Sequence, residues 1–285
     1  MKYVAWSILM GTAITGVLAG DDLIFSYKVG RFDVYMLVEN SRQSAPSILI
    51  GAGQDDVNRY LPSGTYKAET NTFLIKGMGR TIVVDTGFGS TIFDSMKKLG
   101  ISPADVDAVL LTHLHGDHIG GLTKDGKALF PKAKVYLAAR EMRYWTASNV
   151  NRGAVNALKP YADKTETFNP GELDMGGIEI LPGIRAIAAF GHTPGHTVFL
   201  IESGDTEPVD RLLIWGDLMH VQDIQFPLPD VSVTYDTDPV AAAGVRKQIL
   251  AWAVQNDIPV AGMHLAFPAL GKVKADGNGY RFIPL

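Results

Sequence analysis

The side chains of this sequence that could do chemistry are concentrated in one short segment, LTHLHGDHIGG, which contains His113, His115, Asp117 and His118. The whole chain has seven histidines and no cysteine, so a metal site in it must use imidazole and carboxylate ligands. In a dry core, each of these four groups would need a polar partner. Their grouping therefore favours a metal-binding site over ordinary packing.

The residues before this segment predict the element that positions it. Val109–Leu111 is a continuous apolar run, which is typical of a buried strand. Residues two apart on extended backbone point the same way, so His113 and His115 can converge on one ion. Gly116 lets the chain turn. After that turn, the next two ligand candidates can face the same space.

The rest of the chain alternates between strand and helix patterns, which predicts an α/β fold. Thr72–Lys76 and Thr81–Asp85 form a predicted hairpin, and Ile92–Leu99 has helical spacing that stops at a glycine. Pro239–Gln255 is predicted as the longest helix. Asn40–Asn58 has the character of a loop.

Composition limits the partners. The chain has 285 residues, 46% of them hydrophobic, and a formal net charge of −4. This is enough to bury a sizeable core, and it offers no basic surplus for nucleic acid. We expect a small, roughly neutral ligand instead.

The N-terminus resembles an export signal. Lys2 is followed by an apolar stretch, Tyr3–Ala19, and Val17 and Ala19 are small residues of the kind that signal peptidases favour. Residues 1–19 are therefore a predicted signal peptide, with a buried N-terminal strand or helix as the alternative. Removal of this segment would leave a periplasmic or secreted protein with no stable membrane span.

The histidine-rich segment resembles the H-x-H-x-D-H motif of the metallo-β-lactamase superfamily. Other superfamily motifs follow the expected order, at Val84-Asp85-Thr86-Gly87, Thr193-Pro194-Gly195-His196, Gly216-Asp217 and Met263-His264. The resemblance implies an αβ/βα four-layer sandwich with metals in a cleft at one sheet edge. Residues 20–285 would form one metallo-hydrolase domain built from two similar halves.

The resemblance also implies a division of ligands between two metal ions. His113, His115 and His196 would hold the first ion; Asp117, His118 and His264 would hold the second; Asp217 would bridge both. Zinc suits this ligand set best, and manganese, iron or cobalt are compatible with it. A hydroxide shared by the ions would be the nucleophile, because metals lower the pKa of bound water. Asp117 and Asp217 are the candidate catalytic carboxylates.

Other residues near the motifs have expected roles of their own. Asp85 is expected to orient the ligand loop through hydrogen bonds. His192 is expected to be structural, and His220 to be a partly exposed loop histidine, with proton donation as its alternative. The expected apolar substrate wall consists of Phe88, Trp145 and Phe226.

Within the superfamily, the chain most resembles the branch that contains methyl parathion hydrolase and its lactonase-like relatives. The matching stretches are Phe130-Pro131, Trp145, Gly191–Thr197, Trp215-Gly216-Asp217, Gln225-Phe226, His264–Pro268 and Gly279–Phe282. The absence of cysteine excludes the lactamase subclasses that use a thiolate ligand. The resemblance implies exported relatives, some of them homodimers.

These features favour hydrolysis of neutral esters, with organophosphate triesters first. The alternative substrates are lactones, such as acyl-homoserine lactones, or other carboxylic esters. A protein that binds metal without turnover is an alternative of a different class. A purely structural zinc site closes with four ligands and needs no bridge, so the larger set here favours an enzyme.

Overall fold

The computed structural model describes residues 24–147, 151–204 and 209–285. The predicted signal peptide, residues 1–19, lies outside the described residues. The strands are β1 (Ile24–Val29), β2 (Phe32–Ser44), β3 (Leu49–Ile50), β4 (Tyr66–Gly77), β5 (Arg80–Val84), β6 (Ala108–Leu110), β7 (Thr123–Lys124), β8 (Lys127–Ala128), β9 (Lys134–Ala138), β10 (Thr165–Phe168), β11 (Ile178–Leu181), β12 (Ile184–Ala188), β13 (Thr197–Ser203), β14 (Asp210–Ile214), β15 (Ser232–Val233), β16 (Val260–Ala261), β17 (Leu270–Asp276) and β18 (Gly279–Pro284).

The α-helices are α1 (Gln54–Tyr60), α2 (Ile92–Lys98), α3 (Gly116–Ile119), α4 (Ala139–Thr146), α5 (Arg152–Leu158), α6 (Gln222–Gln225) and α7 (Pro239–Gln255). Short 3-10 helices lie at Pro103–Asp105, Lys159–Tyr161 and Leu173–Met175. In the described part of the chain, no helix combines the length and the hydropathy needed to cross a bilayer.

Two seven-stranded sheets form the framework. Their strand orders are β1-β2-β4-β5-β6-β9-β10 and β11-β12-β13-β14-β16-β17-β18. The first sheet begins as antiparallel hairpins and becomes parallel from β5 to β10. The second is antiparallel except where β14 pairs with β16. Strand β3 pairs with β15, and β7 with β8.

Side chains that alternate in direction along the strands pack the two faces of each sheet into different layers. Phe73 and Ile75 of β4 belong to the core cluster that also contains Phe199 of β13, whereas Leu74 belongs to the cluster that contains Met96 of α2. Since successive side chains of a strand point to opposite faces, one face of the first sheet packs on the second sheet and the other on helices. The expected four-layer α/β sandwich is confirmed.

The structure confirms the predicted helix at 239–255 and contradicts the predicted loop at 40–58. Helix α7 has its predicted bounds, and Asp238 caps it by accepting a hydrogen bond from Ala241 N at 3.0 Å. The loop predicted at 40–58 is wrong, because β2 continues to Ser44 and α1 occupies Gln54–Tyr60. An irregularity between Val38 and Asn40 shifts the register without ending the pairing with β4.

Candidate metal centre

Loops from both sheets bring the candidate ligands together. His113 and His115 follow β6, His192 lies between β12 and β13, Asp217 follows β14, and His264 follows β16. The side chains of the first four have ligand atoms within 4.8 Å of one another. We call His113, His115 and His192 the first ligand group.

A second ligand group, Asp117, His118 and His264, lies beside the first, with its ligand atoms also within 4.8 Å of one another. Asp217 separates the two groups. Its Oδ2 atom lies 3.2 Å from Nε2 of His192, and its Oδ1 atom lies 3.0 Å from Nε2 of His118 and 3.2 Å from Nε2 of His264. Oδ2 also lies 3.2 Å from Nε2 of His264, so the Asp217 carboxylate contacts both groups at once.

The expectation that His196 is a ligand is wrong in this geometry. Nε2 of His196 accepts a hydrogen bond from Asp217 N at 3.0 Å, so its Nδ1 must carry the proton, which it donates to Ala189 O at 3.0 Å. Both ring nitrogens are thus occupied. His192, expected to be structural, instead points its Nε2 into the first ligand group, 3.2 Å from Nε2 of His113 and 3.0 Å from Nδ1 of His115.

The buried polar atoms fit a metal ion. Nε2 of His118 and Oδ1 of Asp217 lie 3.0 Å apart, yet neither atom forms a hydrogen bond of good geometry with any described residue. Buried polar atoms normally have one. A cation beside both atoms would satisfy the nitrogen lone pair and the carboxylate oxygen together. The metal-binding character of this histidine and aspartate cluster therefore follows from its unpaired atoms as well as from its composition.

The ring nitrogens that face away from the cluster have partners. Nδ1 of His118 lies 2.7 Å from Oδ2 of Asp85, and Nδ1 of His264 lies 2.6 Å from the carbonyl oxygen of Glu69. Asp85 also accepts hydrogen bonds from the backbone nitrogen of Thr112 at 2.8 Å and from its hydroxyl at 2.7 Å. Such contacts fix the orientation of a ligand imidazole. This is the geometry that the predicted orienting role of Asp85 requires.

The electrostatics of the cluster favour positive charge. Burial would raise the pKa of Asp217, but the facing imidazoles of His118 and His264 hold it well below its usual value. Burial opposes the charge of His192, yet contact with Asp217 and Asp236 raises its pKa to about 9. Burial, together with the neighbouring His192, lowers the pKa of His115 to about 3. The carboxylates of Asp217 and Asp236 therefore stabilise positive charge in the cluster, which a bound divalent ion would supply.

A cavity of about 450 Å³ opens onto the cluster, with His115, Asp117, Asp217, His220 and His264 among its lining residues. The other lining side chains are Asn40, Arg42, Ile48, Tyr66, Ala68, Glu69, Thr70, Phe88 and Tyr235. The cavity therefore joins the polar cluster to a largely apolar wall. Phe88, one of the three expected wall residues, is half exposed in it.

The other two expected wall residues are placed elsewhere. Trp145 donates from its indole nitrogen to Glu141, and its ring meets His115 edge-on at 5.2 Å. Phe226 is buried in the core and stacks on Phe282 at 5.4 Å. The prediction that Phe226 lines the cavity is wrong, because its ring fills the core instead. The substrate-binding role of Trp145 stays a prediction.

His220 differs from the partly exposed residue that was expected. It is buried, its Nε2 lies 3.1 Å from Oδ2 of Asp217, and its ring stacks on His264 at 4.7 Å. Asp236, Glu141 and Tyr235 also belong to the site and were not singled out from the sequence. Their partners are distant along the chain, so no local spacing pointed to them.

Comparisons with known proteins identify the family of the chain and its similar structures. A model of the metallo-beta-lactamase superfamily matches residues 66–251. A probable metallo-hydrolase, YybB of Bacillus subtilis (strain 168), is 28% identical over 57% of this chain and 69% of its own length. The solved structure of AidC, a dizinc quorum-quenching lactonase in complex with a product N-hexnoyl-L-homoserine, is similar with a TM-score of 0.84 and 25% identity, covering 93% of this chain and 98% of that one. A hydrolase named AbOPH in the beta-lactamase superfamily is similar with a TM-score of 0.83 and 26% identity, covering 92% and 97%.

Proposed function

The chain belongs to the metallo-β-lactamase superfamily and is a metal-dependent hydrolase of ester bonds, and on that premise we propose that it is a dinuclear lactonase. The observation that carries the dinuclear part is the position of Asp217, whose carboxylate contacts His192 of the first ligand group and His118 and His264 of the second. In this proposal, His192 takes the ligand role first expected of His196. Zinc is the proposed metal, because the ligand set is imidazole and carboxylate and the similar AidC structure is a dizinc lactonase.

The lactone assignment reverses the order expected from the sequence, in which organophosphate triesters came first. It is supported by the similarity to AidC, which extends over 98% of that lactonase. Phosphotriester hydrolysis becomes the second candidate. The specific observation in its favour is the same ligand cluster, because two divalent ions held there would also stabilise negative charge on a phosphoryl oxygen.

In lactone hydrolysis, a water oxygen bonds to the carbonyl carbon, the bond from that carbon to the ring oxygen breaks, and the ring oxygen takes up a proton. Two bound divalent ions would supply an acidified water and a positive field for the carbonyl oxygen. Oδ2 of Asp217 and Nε2 of His220 lie 3.1 Å apart beside the cavity. Either atom can hold the proton that the ring oxygen receives.

The cavity walls suit a substrate with an apolar chain and a polar head. Tyr66, Phe88 and Tyr235 supply apolar surface, while Asn40 and Arg42 supply hydrogen-bond donors. An acyl chain joined to a lactone through an amide has both properties. This combination supports acyl-homoserine lactones as the substrate class.

A panel of substrates tests the proposal on zinc-reconstituted protein of known metal content. The panel contains an acyl-homoserine lactone, a chromogenic phosphotriester, a thioester and a cephalosporin. We expect the lactone to have the highest kcat/KM and the protein to hold two ions per chain. A higher kcat/KM for the phosphotriester would make phosphotriester hydrolysis the first candidate. Binding of metal without turnover of any substrate would favour a non-catalytic metal-binding protein.

We also propose that residues 1–19 are removed during export and that the mature protein is periplasmic or secreted. The support is the apolar stretch after Lys2 and the small residues at its end. Mass spectrometry of protein recovered from the periplasm or medium tests this proposal. A mass that retains residues 1–19 would contradict it.

A further inference from the structure

Glu141 is a buried carboxylate in α4 that accepts four hydrogen bonds. Its Oε1 atom accepts from Leu114 N at 3.0 Å and from the indole nitrogen of Trp145. Its Oε2 atom accepts from the hydroxyl of Thr193 at 2.8 Å and from Gly195 N at 2.8 Å. Both oxygens are therefore fully used as acceptors, and each serves a different part of the chain.

Three of the four donors belong to the two loops that carry the first ligand group, and the fourth, Trp145, lies in α4 itself. Leu114 lies between His113 and His115, in the loop that follows β6 of the first sheet. The two donors to Oε2 follow His192, in the loop between β12 and β13 of the second sheet. A single carboxylate thus connects ligand loops that start from different sheets.

Close packing enforces this connection. A Cβ atom at Gly195 would overlap the backbone of Glu141, so the second loop can approach α4 only because this position is glycine. Trp145 lies one helical turn after Glu141, and its ring packs against His115. The helix therefore holds His115 both through the adjacent backbone and through an aromatic contact.

We propose that Glu141 is a positioning residue that fixes His115 and His192 relative to each other, and so sets the metal affinity of the first ligand group. This inference rests on the proposed dinuclear centre. The second ligand group depends on other contacts, since His118 is oriented by Asp85 and His264 by the carbonyl of Glu69. Loss of the Glu141 carboxylate should therefore weaken one metal position selectively.

Glutamine cannot replace Glu141 despite its similar shape. In either orientation, its amide group would point N–H donors at a backbone N–H, that of Leu114 or that of Gly195. At least one backbone hydrogen bond would be lost, and an amide donor would face a backbone donor. Second-layer contacts of this kind typically change metal affinity by about 10- to 100-fold.

The test is a zinc titration of metal-free protein against a chromogenic chelator, comparing wild type with Glu141→Gln. Glu39→Gln is the matched control, because Glu39 is also buried and accepts hydrogen bonds from Ser90 and Thr91, away from both ligand loops. We expect Glu141→Gln to weaken one of two binding steps by about 10- to 100-fold and to leave the other unchanged. The control should leave both steps unchanged. Thr193→Val, which removes one donor, should weaken the same step by less, and it replaces Glu141→Gln if that variant does not fold.

Two outcomes would overturn the inference. One is two binding steps of wild-type affinity in Glu141→Gln. The other is an equal loss at both steps that tracks a lower melting temperature of the metal-free protein, because that pattern belongs to a purely structural residue. A wild type that binds a single ion would refute the dinuclear proposal separately. The inference would then stand if His192→Ala and Glu141→Gln both weaken that ion, and fall if they do not.

Discussion

Nδ1 of His192 lies 2.8 Å from Oδ1 of Asp236, and both side chains are buried. Oδ2 of Asp236 accepts a hydrogen bond from Val233 N at 3.0 Å, which fixes the carboxylate in turn. This pair has the same arrangement as His118 and Asp85, with Nδ1 on a carboxylate and Nε2 facing the cluster. Each ligand group therefore contains one histidine whose orientation and basicity are set by a buried aspartate.

We predict that Asp236→Asn weakens zinc binding at the first ligand group and lowers lactone turnover, each by about 10- to 100-fold. The neutral amide still reaches His192 but no longer supports charge on the ring. Zinc titration and kcat at saturating zinc measure the two effects. Asp238→Asn is the control, because asparagine also caps a helix and Asp238 is exposed at the start of α7. An Asp236→Asn protein with wild-type metal affinity would contradict the role assigned to this carboxylate.

We predict that His192→Ala loses one metal ion per chain, whereas His196→Ala keeps both at saturating zinc. The reason is that His192 points its Nε2 into the first ligand group, whereas both ring nitrogens of His196 are hydrogen-bonded to the backbone. His196→Ala should instead lower the melting temperature, because it leaves Asp217 N and Ala189 O without partners. Elemental analysis of both variants decides the matter. Loss of an ion from His196→Ala alone would restore the assignment first made from the sequence.

We predict that Asp217→Asn folds but binds one of its ions more weakly and loses activity on every ester substrate together. The side chains are nearly isosteric, yet asparagine removes the negative charge that the two ligand groups share. The repulsion between the two cations would then be less compensated, and the water bound between them would be less acidic. Circular dichroism, metal content and the substrate panel test the three parts. Near-normal turnover with both ions present would exclude Asp217 as the bridge, and a loss confined to lactones would identify it mainly as the proton donor.

We predict that Phe88→Ala raises KM more for long-chain than for short-chain acyl lactones and changes kcat little. The half-exposed ring lines the cavity and is not among the candidate metal ligands. Phe226→Ala should instead lower the free energy of unfolding by about 3–5 kcal/mol, as expected for a buried phenylalanine. Steady-state kinetics over a series of chain lengths and chemical denaturation separate the two. A KM for long-chain substrates that does not change would remove Phe88 from the substrate wall.

The part of the site that could be predicted from sequence is the part encoded by local geometry. His113 and His115 were predictable because alternate residues of an extended segment point the same way. The choice between His192 and His196 was not, because both lie in an irregular segment between β12 and β13, in which Gly191 has a φ of +144°. No periodicity determines the direction of a side chain there.

Residues that act across the fold left no local signal. Glu141 lies in a helix rich in polar residues, where a glutamate is ordinarily solvated, and its partners are 27 and 52 residues away along the chain for Leu114 and Thr193. It becomes a buried acceptor because the loops that contain Leu114 and Thr193 pack against α4. The overall sandwich was more accessible, because alternating apolar positions in strands such as β4 determine which face meets the second sheet.

The origin of the ligands in loops of both sheets has a consequence for unfolding. Each proposed ion would be a reversible cross-link in a chain that has no cysteine, tying segments as distant as His113 and His192. Opening either sheet would then require release of the ion. By mass action, free zinc at a hundredfold excess over its dissociation constant would add about 2.7 kcal/mol to the free energy of unfolding. The lifetime of the folded protein would thus depend on the zinc supply of its surroundings, and a chelator would act on it as a reducing agent acts on a disulfide-bonded protein.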